Sequence, residues 1–109
     1  MRIVNTDDVT AQLSAFMAER EWEQFHTPHT LAKSIAIEAG ELMELFQWSD
    51  DAPVAEVTGE LADVLTYCLL LAAKLEVDPL QIVLDKLQVT GEKYPVELAR
   101  GRSVRHDQL

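Results

Sequence analysis

At 109 residues, 48% of them hydrophobic, the chain has the material for one domain around one core and no more. Its formal net charge of −10 excludes a protein that holds a nucleic acid polymer through a broad basic surface, because phosphate contacts need clustered Lys and Arg. Cys68 is the only cysteine, which excludes an intramolecular disulfide, makes core packing its expected role and points to a reduced, cytoplasmic setting. The N-terminus lacks the basic-then-apolar pattern of a signal peptide, and the apolar run 64–73 is roughly half the length of a bilayer span. A soluble intracellular protein that makes no membrane contact is expected.

Thr6 followed by Asp7 and Asp8 predicts an N-cap with acids in the first turn, after which Val9, Leu13, Phe16 and Met17 keep a helical period to about Glu21. Thr27-Pro28 predicts a second N-cap with proline at the first helical position, opening a helix that runs through Ile35, Leu42 and Leu45 toward Trp48. Residues 49–53 are the turn. The third helix, over residues 54–76, carries Val57, Leu61, Val64, Cys68, Leu71 and Leu75 on one stripe and Ala62, Leu65, Leu69 and Ala73 on the opposite side. A helix apolar nearly all round must be covered on several sides, so an interface between subunits is expected along it. Asp78-Pro79 then caps a fourth helix with Leu80, Val83, Leu84 and Leu87 as its inner face, ending before Tyr94-Pro95. Residues 96–109, with Arg100, Arg102 and Arg105, have no clear period and read as a C-terminal arm, a loop or flexible segment. The fold class is all-α, with four helices in a single domain over residues 1–109.

Two carboxylate pairs stand out in this frame: Glu38-x-x-Glu41 and Glu60-x-x-Asp63. The i,i+3 spacing puts each pair on one helical face. If residues 30–48 and 54–76 form an antiparallel hairpin turning at Asp50-Asp51, Glu41 and Glu60 lie equally far from the turn, as do Glu38 and Asp63. Four acids then meet at one place, where they repel one another unless cations stand between them. Hard oxygen ligands point to Mg²⁺, with Mn²⁺ as a possible substitute. A di-iron carboxylate bundle requires a Glu-x-x-His pair on each of two helices, and neither acidic helix contains one. A redox-inert divalent metal acting with phosphate is the better reading.

The acidic pattern, together with Arg20-Glu21-Trp22-Glu23-Gln24-Phe25-His26, Phe46-Gln47-Trp48 and Lys93-Tyr94-Pro95, resembles the all-α nucleoside triphosphate pyrophosphohydrolases of the MazG-like superfamily, and within it the small dCTP pyrophosphatase group. The resemblance covers roughly residues 10 to 100. It implies Mg²⁺-dependent hydrolysis of (deoxy)nucleoside triphosphates to the monophosphate and pyrophosphate, with dCTP or related dNTPs preferred, in cleaning the nucleotide pool. It also implies four-helix bundles made by dimerisation, commonly a dimer of dimers, and metal ligands at Glu38, Glu41, Glu60 and Asp63. One departure is Thr90, standing four residues after Lys86 where those relatives usually carry Asn. Threonine keeps a hydroxyl but loses the amide's paired donor and acceptor, which bears on base or sugar selectivity.

The expected chemistry is in-line attack of water on the α-phosphorus, with Glu38 or Glu41 as general base and Mg²⁺ neutralising the triphosphate. Trp48 lies seven residues beyond Glu41, two turns on nearly the same face and roughly 10 Å along the axis, so Trp22 and Trp48 are candidates to stack on the base. Phe25, His26 and Phe46 would complete that pocket. Lys33, Lys86 and Lys93 are candidate phosphate contacts, Tyr94 a candidate hydroxyl donor, and Glu44 a further ligand or an acid supporting the ligands. Two alternatives stay open: a non-catalytic helical dimer acting as an interaction module, and a related phosphohydrolase of another substrate class, such as a phosphoribosyl-ATP or dimeric dUTP hydrolase.

Overall fold

The computed structural model describes residues 4–109; the first three residues of the expected domain, where the signal-peptide pattern was sought, lie outside the described residues. The order is α1 (Thr6–Glu19), a 3₁₀ turn (Glu23–Phe25), α2 (Pro28–Glu44), α3 (Val54–Lys74), α4 (Pro79–Lys93), the single-turn α5 (Val96–Ala99) and a 3₁₀ turn (His106–Gln108). Among the described residues there is no strand, and no helix is long and apolar enough to cross a membrane. The chain divides into two compact units, one ending at Val77 and the other beginning at Asp78.

In the first unit, capping sets where the helices start. Asn5, not Thr6, caps α1: its Oδ1 accepts from the Asp8 N–H at 2.9 Å, and Thr6 becomes the first helical residue. An Asn carboxamide serves this position at least as well as a Thr hydroxyl, so the boundary moves one residue earlier. The cap of α2 is at Thr27, as the sequence predicts. Thr27 Oγ1 accepts from the Thr30 N–H at 3.2 Å and Thr30 Oγ1 from the Thr27 N–H at 2.9 Å, a reciprocal box with Pro28 just inside it. At the other end α2 stops at Glu44 instead of continuing toward Trp48. The N–H groups of Leu45, Phe46 and Gln47 bond three residues back, to Leu42, Met43 and Glu44, tightening the chain into turns before Ser49 Oγ accepts from the Asp51 N–H.

α3 packs chiefly along α2 and secondarily against α1. The core lies where the three meet: Met17, Leu31 and Leu70 are buried, with Leu13, Tyr67 and Leu71 packed against them. Leu31 is 1% exposed, so truncation to Ala costs the transfer term and a cavity, about 2 to 5 kcal/mol. Elsewhere α3 is open. Leu61 and Leu65 are 44% and 52% exposed, the side of the helix that one chain leaves uncovered.

In the second unit Asp78 Oδ1 caps α4 by accepting from the N–H groups of Leu80 and Gln81 at 2.8 and 3.0 Å. Leu80, Val83, Leu84 and Leu87, expected as an inner face, are 60–62% exposed. The tail has more order than an irregular arm. Tyr94 Oη accepts from the His106 N–H at 3.1 Å with the two rings edge to face, Arg102 donates to the carbonyls of Leu98 and Gln108, and Arg105 pairs with Asp107.

α1 and α3 end alike. After each, the chain turns through a residue in the left-handed region, Glu21 at φ 55° and Glu76 at φ 57°, and the N–H groups of that residue and the next close back on the last turn: Glu21 to Ala18 and Trp22 to Met17, Glu76 to Ala73 and Val77 to Ala72. This closure normally employs glycine, because a Cβ is disfavoured there. Replacing Glu76 by Gly is expected to raise stability by about 0.5 to 1 kcal/mol, read from the midpoint of urea unfolding. An unchanged or lowered midpoint would mean that the Glu side chain offsets its own backbone strain.

Candidate metal centre

The α2–α3 hairpin brings carboxylates together as the register predicts. Glu38 from α2 and Glu60 and Asp63 from α3 each offer an oxygen within 4.8 Å of the others. Glu38 and Glu60 are half-buried, whereas Asp63 is exposed. Glu41, exposed one turn after Glu38, shares a side-chain hydrogen bond with both Glu38 and Glu60. Among the described residues no Lys or Arg pairs with any of the four.

This crowding is legible in the titration. The hydrogen bond shared with Glu41 holds the Glu38 carboxyl above its ordinary value of 4.5; burial and the charges of Glu41, Asp63 and Glu60 add to the rise. Burial is the first cause for Glu60, followed by the charges of Glu41 and Asp63, the hydrogen bond with Glu41 and the charge of Glu44. Glu44 therefore stands near enough to be felt, although it is exposed. Two atoms of the cluster are orphaned: Glu38 Oε2 and Glu60 Oε2 are shut from solvent with no hydrogen-bond partner. A buried carboxylate oxygen without a donor is costly, and a cation satisfies it. The donor set is oxygen only and anionic, which fits a hard divalent ion such as Mg²⁺ or Mn²⁺.

The remaining predicted site residues are spread out. Trp22, 46% exposed, follows the end of α1 and meets Phe16 edge to face at 6.0 Å, while the Arg20 guanidinium lies 3.5 Å from the centre of the Phe16 ring. Trp48 stands past the other end of α2 and is 89% exposed. Within one chain the two indoles are thus at opposite ends of α2. His26 is half-buried, and Phe25, Phe46 and Lys33 are exposed. Lys86 and Lys93 are exposed on α4, Thr90 is half-buried there, and Tyr94 directs its oxygen to the His106 N–H. His26 also lines a cavity with Ser14, Glu23 and Lys74, three residues that the sequence reading passed over.

The MazG-like family matches residues 33–109. The chain is 39% identical over 113 residues to the dCTP pyrophosphatase 1 of Rattus norvegicus and to that of Homo sapiens, covering 94% of this chain and 66% of each relative. It thus spans just under two thirds of the length of those curated relatives. The crystal structure of a pyrophosphatase from Archaeoglobus fulgidus superposes with a TM-score of 0.79 at 35% identity, over 87% of this chain and 96% of that one. The acidic hairpin, the helical order and the family match over residues 33–109 agree: the chain belongs to the MazG-like family.

Proposed function

We propose that this chain, acting as one domain over residues 1–109, hydrolyses (deoxy)nucleoside triphosphates to the monophosphate and pyrophosphate, prefers dCTP or related dNTPs, and so clears unwanted nucleotides from the precursor pool. The observation that carries the proposal is the convergence of Glu38, Glu60 and Asp63 within 4.8 Å, with Glu41 hydrogen-bonded beside them and two buried oxygens left without donors. The names of the rat, human and archaeal relatives support the reaction class. A cytoplasmic setting is proposed with it, supported by the free thiol of Cys68.

Glu38, Glu41, Glu60 and Asp63 would hold Mg²⁺ or Mn²⁺. Bound there, the ion supplies charge neutralisation for the polyphosphate and acidifies the attacking water. The chain's own part is proton transfer and placement. Glu38 or Glu41 takes the proton of the water as its oxygen bonds to the α-phosphorus, while the bridging oxygen leaves with pyrophosphate. Trp22, His26 and Trp48 are the proposed base contacts, and Lys33, Lys86, Lys93 and Tyr94 the proposed phosphate contacts. Because Trp22 and Trp48 flank opposite ends of α2, both reach one base only if a second copy brings its own. Homo-oligomerisation, to a dimer or a tetramer, is therefore part of the proposal. The open apolar positions Leu61 and Leu65 on α3 and Leu80, Val83, Leu84 and Leu87 on α4 support it.

Incubating the protein with a panel of dNTPs and NTPs, with Mg²⁺ or EDTA, and separating products by HPLC should give monophosphate and pyrophosphate only with Mg²⁺. No hydrolysis across the panel would favour the interaction-module reading. Replacing Glu41 by Gln should lower kcat by about 100-fold or more without altering the helical circular dichroism.

A pH effect follows from the raised carboxyls. Glu38 and Glu60 bind protons more tightly in the folded chain than in the unfolded one, so they favour folding at and below 4.5 and lose that contribution as pH rises through their raised values. Divalent metal binds the deprotonated cluster and acts in the opposite sense. Mn²⁺ should therefore raise Tm clearly at pH 7.5 and much less at pH 5, and Glu60→Gln should reduce the effect. Equal shifts at both pH values would count against the carboxylates as the site.

A further inference from the structure

Seven residues separate Leu31 from Glu38 on α2, and seven separate Asp63 from Leu70 on α3. Both steps run away from the connecting turn and keep nearly the same helical face, so each moves two turns, roughly 10 Å, along the hairpin. At that level the first unit contains a cavity of about 260 Å³, floored by the buried Met17, Leu31 and Leu70. Four polar side chains line it: Ser14 of α1, Glu23 of the first 3₁₀ turn, His26 just after that turn, and Lys74 in the last turn of α3. Among the described residues, none of the four has a hydrogen-bond or ion-pair partner for its side chain within the chain. An apolar floor beneath a few unengaged polar groups is the usual make-up of a small-molecule pocket, and a nucleoside spans about the distance that separates this one from the carboxylates.

We propose that the cavity takes the base of the substrate and that Glu23 is a specificity-determining residue, selecting a pyrimidine that carries an exocyclic amine over one that carries a second carbonyl. The proposal rests on the nucleotide hydrolysis proposed above. The volume admits a nucleobase. Glu23 accepts hydrogen bonds only, Lys74 donates only, and Ser14 and His26 do either. Cytosine answers this set: its amine donates to the carboxylate while its ring nitrogen and carbonyl accept from the donors. The single ring N–H of thymine or uracil is flanked on both sides by carbonyl oxygens, which a carboxylate repels, so the same pocket discriminates against it. Sequence reading assigned the base to the two indoles. The cavity adds a polar reader, and Trp22, adjacent to Glu23 and bonded through its N–H to the Met17 carbonyl, lies at the same end of the hairpin.

The test is a metal-free titration of the full chain with deoxycytidine and with thymidine, followed by backbone amide chemical shifts. Deoxycytidine is expected to bind about tenfold or more tighter than thymidine, as expected for a hydrogen bond to a charged group, and to shift amides around Glu23, His26 and Lys74. Glu23→Gln should abolish the preference. Ala73→Phe, which places a ring in the cavity from an exposed position of α3, should abolish nucleoside binding while leaving Mn²⁺ binding at the carboxylates intact. Failure of deoxycytidine to bind at millimolar concentration, equal affinity for both nucleosides, or wild-type binding by both variants overturns the proposal. Turnover plays no part in the titration. A chain that hydrolyses no triphosphate yet binds deoxycytidine in this way loses the proposed reaction and keeps the pocket; hydrolysis without any nucleoside preference does the reverse.

Discussion

The mutual repulsion of Glu38, Glu41, Glu60 and Asp63 is the constraint around which the rest of the first unit is arranged. Four acids within reach of one another, with no Lys or Arg drawn in among the described residues to neutralise them, push the α2–α3 hairpin apart at its middle. What opposes this is apolar packing further along the same two helices. Leu31 and Leu70 lie two turns from the acids and close against Met17 of α1, so the hairpin is clamped where it is dry and strained where it is charged. The reciprocal Thr27–Thr30 cap fixes the start of α2 beside that clamp, and the turn-closing bonds of Trp22 and Val77 hold the ends of α1 and α3 at the same level. A cation between the acids would remove the opposing force and supply the partner that Glu38 Oε2 and Glu60 Oε2 lack.

The burial pattern carries the argument outward. Only Met17, Leu31, Leu70 and Ala72 are buried hydrophobics among the described residues, a thin core for a chain that is 48% hydrophobic. The exposed leucines of α3 and α4 are the other side of that ledger. An exposed apolar face on either helix is costly in water, and a second copy of the same chain covers such a face on both partners at once. The proposed oligomer thus answers the same shortage of covering surface that the all-round apolar pattern of α3 announces in the sequence.

How much of this was legible depended on whether the signal was local and periodic. The acidic register was readable because i,i+3 spacing and equal distances from one turn determine where helical side chains meet, whatever surrounds them. The caps at Thr27-Pro28 and Asp78-Pro79 were readable because a side-chain oxygen followed by proline has one good use. The cap at Asn5 was missed in favour of Thr6, since two competent residues stood side by side and only the hydrogen bond to Asp8 decides between them. The end of α2 was overrun because apolar spacing continues through Leu45 and Trp48, whereas the backbone there had already tightened into three-residue closures. The indoles show a different limit. Counting two turns from Glu41 to Trp48 assumed a helix that in fact stops at Glu44, and Trp22 lies past the other end of the same helix, where direction along an axis is fixed only once the turn between α1 and α2 is known. Ser14, Glu23 and Lys74 left no trace, because a cavity assembled from three elements has no spacing in the chain.

Charge is distributed as unevenly as packing. Residues 78–109 hold five basic and five acidic side chains, so the whole net charge of −10 belongs to the part of the chain that ends at Val77. That part contains the acid cluster, in which Glu38 and Glu60 already resist ionisation through crowding and burial. A triphosphate approaching it without cations meets like charge at long range and again at contact, with the long-range component falling off over about 8 Å at physiological salt. Screening weakens the first barrier and leaves the second, because the half-buried carboxylates are shielded from solvent ions. Under the proposed reaction, dependence on divalent metal is therefore not an adjustment to an activity that the chain already has; without the cation, neither the carboxylates nor the polyphosphate has a favourable reason to share the site.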